Sequence, residues 1–342
     1  MRTGVTRGAG DRQVTASLSL DLDNLWSYKK TRGDADWSEL PSYLPVVVPR
    51  LLEVFGEHDV RATVFLVGQD AELDAAAGGV LAGITAAGHE VGNHSFSHEP
   101  WLHLMDAGRL SDEIVRTEEA VEAVTGVRPD GFRGPGYSLS EPLLRLLVSR
   151  GYSYDASTLP TWVGPLARAY YFRTADLSVE QRAQRSALFG SARDGLRPLV
   201  PYEWELPEGR LLEIPVTTAP LARVPFHLSY VLHLHGISPA LAWRWFDAAT
   251  RLCRRTGLGP SVLLHPLDLL GPDDAPGLAF FPGMALPAAQ KLAVVHRALA
   301  LLAERFDLVP VGEHARRLSA AGGLRSRPAR RLAPAARVPA AV

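Results

Sequence analysis

What most constrains this chain is a rhythm. From Ala16 to Asp155, short runs of aliphatic and β-branched residues alternate with longer stretches of helical apolar spacing. Ala16–Leu22 reads as a first strand, and Leu44–His58 as a helix with Pro45 in its first turn. Arg61–Val67 (RATVFLV) is a second strand, Ala71–Ala87 a helix stopped by Gly88, and His89–Gly92 a third strand. Ser111–Thr125 is an amphipathic helix closed by Gly126, and Gly131–Arg133 a fourth strand. Ser140 opens a helix that Gly151 closes, and Tyr152–Asp155 is a fifth strand. Strict strand–helix alternation implies a parallel sheet, open or closed. No glycine-rich phosphate loop follows the first strand, which disfavours an open nucleotide-binding sheet.

The second half is less regular. Residues 1–14 read as a flexible arm and Asp23–Pro41 as a loop. Thr161–Gly209 breaks the rhythm and reads as a long insertion packed over or beside the mouth of the fold. The pattern resumes with a strand at Leu211–Val216, a helix at Pro239–Arg255 and a strand at Ser261–Leu264. A helix at Leu286–Phe306, a strand at Leu308–Val311 and a helical turn up to Leu318 complete a domain spanning 15–318. Residues 319–342 form an Ala/Pro/Arg stretch that reads as a disordered basic tail.

With 342 residues, 46% of them hydrophobic, the chain can fill one α/β barrel. The net charge of -1 gives no reason to expect nucleic acid as a partner. A single cysteine, Cys253, rules out an internal disulfide and reads as a small buried hydrophobe in an apolar-patterned helix. No apolar leader opens the sequence and no run is long enough to span a bilayer, so a cytoplasmic location is expected.

Residues with chemistry recur just after strands: Asp21 and Asp23, His94 and His98, Arg133, Asp155 and His265. In a closed barrel such positions meet on one face. The stretch GHEVGNHSFSH sets His94 and His98 four apart, so on a turn of helix both imidazoles could reach one ion. Asp21 and Asp23 are two apart on a strand and share a face, so either could join them. Two imidazoles and a carboxylate, with positions left for water, suit a hydrolytic metal site. An HxxxH alone is a weak signal. His58, His89 and His103 read as structural or surface residues; His227, His233 and His235 read as packing, with His227 a pocket wall. Trp26, Tyr28, Trp101 and Tyr137 flank the motifs, where they could stack on a flat substrate or fill the core.

Taken in order, these motifs resemble those of the polysaccharide deacetylase family, carbohydrate esterases with a chitooligosaccharide-deacetylase homology domain. The resemblance runs from Ala16 to Leu318. In SLDLDN, Leu22 divides a pair of aspartates that are adjacent in most of the family. NHSFSH matches the second motif fully. Arg133-Gly134-Pro135 matches the third, with glycine where many members have tyrosine. YDASTLP matches the fourth loosely, and LLHP at His265 the fifth. The split DxD and the HPxD of His265–Asp268 resemble an atypical branch, some of whose members hydrolyse small amides or cyclic ureides.

The resemblance implies a distorted (β/α) barrel and metal-dependent hydrolysis of a non-peptide C–N bond. The activity it points to is N-deacetylation of an acetamido sugar or a related small molecule. A cyclic amide or ureide hydrolase and a non-catalytic binding barrel are the alternatives; a two-metal phosphoesterase is disfavoured by the lack of a second carboxylate-rich shell. It also implies roles. Asp23, His94 and His98 would hold the ion, Zn²⁺ by expectation, with Co, Mn or Fe compatible. Asp21 would be the general base, positioned by Arg133. The turn Gly134–Tyr137 would offer an N–H to the oxyanion, with Gly136, Tyr137, Trp26 and Trp101 against the substrate. His265 would protonate the leaving amine, oriented by Asp155. The partner is a saccharide or small-molecule substrate, and a homo-oligomer is left open.

Overall fold

The computed structural model describes residues 13–166, 169 and 192–332. Ten strands form one sheet: β1 (Thr15–Asp21), β2 (Thr63–Leu66), β3 (Glu90–Asn93), β4 (Gly131–Phe132), β5 (Tyr154–Asp155), β6 (Tyr202–Leu206), β7 (Gly209–Glu213), β8 (Ser261–Leu264), β9 (Asp307–Pro310) and β10 (Ser326–Pro328). Their order is β10-β6-β7-β5-β4-β3-β2-β1-β8, with β9 also paired to β1. All pairs are parallel except the β6–β7 hairpin. The sheet rolls into a distorted barrel. Its two sides meet where the chain leaving β7 reaches β8: the Thr217 N–H donates to the Ser261 carbonyl at 3.0 Å, and the Ser261 N–H donates to Thr217 Oγ1 at 2.8 Å.

The alternation in β1 decides what faces inward. Ala16, Leu18, Leu20 and Leu22 are buried in the main apolar core. Ser17, Ser19 and Asp21, on the other face, are buried among polar partners. Leu22 therefore packs away from the site and both aspartates turn toward it, as strand alternation requires. Cys253 is free and buried in the same core.

The helices of the first half are α1 (Leu25–Arg32), α2 (Leu44–Glu57), α3 (Gly68–Ala77), α4 (Ala82–Ala86), α5 (Ala107–Thr125) and α6 (Glu141–Ser149). Two of them correct the sequence reading. α1 lies inside the expected loop Asp23–Pro41, because Asn24 caps it by accepting the Leu25 N–H at 2.8 Å. Gly33 closes it at φ +98°. The expected single helix Ala71–Ala87 is two, α3 and α4: Gly78 turns left-handed, and the Asp74 carboxylate takes the N–H groups of Val80 and Leu81 at 2.8 and 3.0 Å.

The ends of the domain differ as well. The expected disordered tail begins as structure: β10 lies parallel to β6, and Ala329 and Leu332 are buried in a second apolar cluster with Tyr202 and Trp204. Arg327 places its guanidinium 5.8 Å from the Tyr202 ring, so basic composition there serves edge pairing. Residues 333–342 lie outside the described residues. The end of the expected insertion, β6, widens the sheet beside β7; its middle, 170–191, is also outside the described residues. Among the described residues no helix is long and apolar enough to cross a membrane.

Candidate active site and metal centre

Because the strands are parallel, residues at their C-terminal ends gather on one rim. Asp21 ends β1, His94 follows β3, Arg133 follows β4, Asp155 ends β5 and His265 follows β8.

His94, His98 and Asp23 converge. His94 Nε2 lies 3.2 Å and His98 Nε2 3.0 Å from the same Asp23 oxygen, and the three ligand atoms are within 4.8 Å of one another. His94 Nδ1 donates to the Arg133 carbonyl at 2.7 Å. That bond fixes the tautomer and leaves the Nε2 lone pair aimed at the cluster, as a metal ligand needs. Burial pushes the Asp23 carboxyl up, but His98 and His94 outweigh it and hold the group well below its ordinary range. Three converging acceptors, one already stripped of its proton by a backbone bond, fit a divalent ion.

The two histidines do not share a helical turn. The segment after β3 is a loop in which Ser95 and His98 adopt φ of +61° and +50°, and the rings still come within 5.2 Å of each other. The buried Glu113 of α5 makes this loop affordable: its carboxylate takes the N–H groups of Phe96 and Ser97, each at 2.9 Å. Nothing near the HxxxH announces Glu113.

Asp21 accepts from the wholly buried Arg133 guanidinium at 2.6 Å. The same guanidinium donates to Ser19 Oγ at 2.9 Å and the Ala156 carbonyl at 3.0 Å, and lies 4.3 Å from the Phe65 ring centre. Arg133 is thus fixed on four sides. The turn after it is tight: a Cβ on Gly134 would fall 2.2 Å from the Ser138 carbonyl oxygen. Gly136 and Tyr137 have φ of +58° and +62°. Tyr137 is half-buried, and its phenol is pushed up by burial and then by Asp21, so it stands beside the expected base.

Three expected residues are placed otherwise. Asp155 does not serve His265. Its Oδ1 takes the Ser157 hydroxyl at 2.5 Å, and it faces Glu213 across the β5–β7 pair. Burial, then the neighbouring Glu213, push the Asp155 carboxyl well above its ordinary range. Glu213 in turn takes the Thr158 N–H and hydroxyl at 3.1 and 2.6 Å and the Trp204 N–H at 2.9 Å. His265 Nδ1 meets Ser229 Oγ at 3.1 Å instead. Trp26 is a core residue: its ring is fully buried and its Nε1 donates to Asp70 at 2.8 Å. Trp101 is half-buried, next to the Pro100 that approaches Gly136.

His227 is buried, with its ring 5.8 Å from the His265 ring. His89 accepts the Ala62 N–H, His58 meets His296, and His103 meets Ser138, all structural contacts.

Asp70 also takes Asn24 Nδ2 at 2.7 Å, so it anchors the segment that follows the aspartate pair. Burial pushes its carboxyl up to about 7. The folded protein then keeps a proton that the unfolded chain, at its ordinary 3.8, releases. Stability conferred by that proton is complete below the unfolded value and falls as pH rises through about 7. Asp70→Asn is expected to flatten the melting temperature across this window. Parallel wild-type and variant curves would contradict the assignment.

The model of the polysaccharide deacetylase family matches residues 34–154, which take in the histidine pair and Arg133. A Helicobacter pylori protein named peptidoglycan deacetylase is 33% identical over 169 residues, 48% of this chain and 55% of that protein. A peptidoglycan deacetylase-like protein of Gibberella zeae is 28% identical over 289 residues, 80% of this chain and 78% of the other. The match thus spans about half the length of the Helicobacter protein. A Mycobacterium smegmatis crystal structure, assigned as a polysaccharide deacetylase, superimposes with a TM-score of 0.60 at 20% identity, covering 95% of this chain and 97% of the other. That likeness is one of fold. With the motif order and the rim geometry, the match makes residues 34–154 of this chain similar to the polysaccharide deacetylase family.

Proposed function

We propose that this protein is a metal-dependent amide hydrolase that removes the acetyl group from an acetamido sugar. The observation that carries the reading is the convergence of Asp23, His94 and His98 next to an Asp21 already clamped by Arg133. A divalent ion held by the three, Zn²⁺ in our reading, would make a water acidic near neutral pH and polarise the amide carbonyl. Asp21 would take the proton of that water. The contribution of Arg133 is to hold the Asp21 carboxylate in place. Within the 134–137 turn, the Gly134 N–H is spent on Ser157 Oγ at 2.8 Å and the Tyr137 N–H on the Gly134 carbonyl at 2.9 Å, which leaves the Gly136 N–H to meet the oxyanion. His265 gives a proton to the departing nitrogen. Water and amide become acetate and a free amine. Trp101 and Tyr137 flank the substrate's path; Trp26 is withdrawn from that role.

The names of the relatives support an N-acetylated saccharide as substrate class. The divided aspartates support a place in the atypical branch, and so keep a cyclic amide as the second reading. The two readings part on product. Incubation of the metal-loaded protein with N-acetylated sugar oligomers should release acetate and free amine in equal amounts. Ring opening of cyclic amides with no acetate from any saccharide would overturn the proposal.

A further inference from the structure

His98 holds a left-handed backbone, φ +50°, which a side chain with a Cβ adopts only when its surroundings impose it. The loop before it is well fastened. Gly68 and Gln69 of α3 donate their N–H groups to the Ser95 and Phe96 carbonyls at 3.0 and 3.1 Å, and Glu113 of α5 takes the N–H groups of Phe96 and Ser97. Those bonds reach as far as the Ser97 nitrogen. From the Ser97 carbonyl onward the loop meets a different element. Lys30, in the last turn of α1, donates from Nζ to the Ser97 carbonyl at 2.9 Å and pairs with Glu99 Oε1 at 2.6 Å. These two acceptors flank His98.

We propose that Lys30 is a positioning residue that holds His98 in the backbone conformation from which its Nε2 reaches Asp23. This deepens the reading of His98 as a metal ligand and rests on it. The φ of His98 is a rotation that starts at the Ser97 carbonyl carbon. A cation that grips the Ser97 carbonyl on one side and the Glu99 carboxylate on the other leaves that rotation little room. Asn24 caps α1 directly after Asp23, so one short helix carries a ligand at its entry and grips the loop of another from its last turn.

An ion pair on a protein surface commonly contributes little. This pair is largely withdrawn from water, with the Lys30 and Glu99 side chains 15% and 16% exposed. The ammonium also lies 5.6 Å from the Trp26 ring centre and 5.1 Å from that of Trp37, so two indoles help to keep it against the carbonyl. Trp26 is itself tied to α3 through Asp70. A basic residue that only favours a helix C-terminus would explain a lysine at this position. It would not explain an ammonium shared by a backbone carbonyl, a carboxylate and two indoles, with a metal ligand between the first two.

The test is calorimetric titration of zinc into the metal-free, full-length protein: wild type, Lys30→Met, Lys30→Arg, Glu99→Gln and, as a control, Lys29→Met. Amide relaxation dispersion of the metal-free protein accompanies it. Lys30→Met keeps an apolar stem between the indoles and removes the charge. Its zinc Kd should rise roughly tenfold, the lower end of the effect of removing an outer partner of a metal ligand. Microsecond-to-millisecond motion should appear at the amides of residues 98 and 99 and not at 94–96. Lys30→Arg should recover most of the affinity. Glu99→Gln should lose less than Lys30→Met, because the grip on Ser97 remains. Lys29→Met should match the wild type, since Lys29 pairs with the exposed Asp36. A merely structural lysine would lower the melting temperature of Lys30→Met and leave the Kd of the folded protein unchanged, and that result overturns the proposal. If Lys30→Met does not fold, a wild-type Kd in Glu99→Gln overturns it instead. A wild type that binds no zinc removes the metal reading; the motion at residues 98 and 99 then decides the latch by itself, and its absence in Lys30→Met overturns it.

Discussion

Asp21→Asn is expected to keep the metal and to slow turnover by a factor on the order of 10²–10⁴, the usual span for a general base. The substitution preserves shape and an oxygen for Arg133 at the 2.6 Å contact, but removes the proton acceptor. It also leaves the guanidinium of Arg133 buried without its counter-charge, so the melting temperature should drop. The remaining contacts to Ser19, Ala156 and Phe65 limit that loss and keep the rim assembled. Turnover and metal content measured on the same sample separate the two effects. If Asp21→Asn lost the metal and kept its rate once reloaded, the two aspartates would have exchanged roles.

His94→Ala is expected to lose metal and activity together while the fold persists. Its Nε2 supplies one of three ligand atoms, and the Nδ1 bond to the Arg133 carbonyl ties that ligand to the strand that positions the base. Removing it costs the ion a ligand and the Arg133 turn an anchor. Asp23→Asn should weaken binding for a different reason, since a neutral amide oxygen replaces an anionic one between two imidazoles. Circular dichroism should remain that of the wild type in both.

Much of this was legible because it is local. The alternation of β1 sets Asp21 and Asp23 on one face and Leu22 on the other from sequence alone. Parallel strands gather their C-terminal ends on one rim, so residues after strands could be grouped without knowing the distances between them. What was not legible depended on partners far along the chain. The loop of His94 and His98 is held by Glu113, on a helix whose sequence carries no sign of it. The role expected of Asp155 failed because its neighbour is Glu213, more than fifty residues on. A signal did exist there: a glutamate within LLEIPV, an otherwise apolar strand, must find buried partners. Trp26 looked like a substrate platform from its place beside the aspartates, but Asp70 on α3 draws its N–H into the core. The β10 strand was hidden by composition, since arginines and prolines read as a loose tail until an edge strand is there to pair with.

The most direct test of the central claim is calorimetric titration of a divalent metal into the metal-free wild type and into the His94→Ala and His98→Ala variants. The account predicts one ion per wild-type chain, binding weakened by at least an order of magnitude in each variant, and acetate release that follows occupancy. Full-affinity binding of one ion in both variants would contradict it, because the metal would then lie somewhere other than between Asp23, His94 and His98.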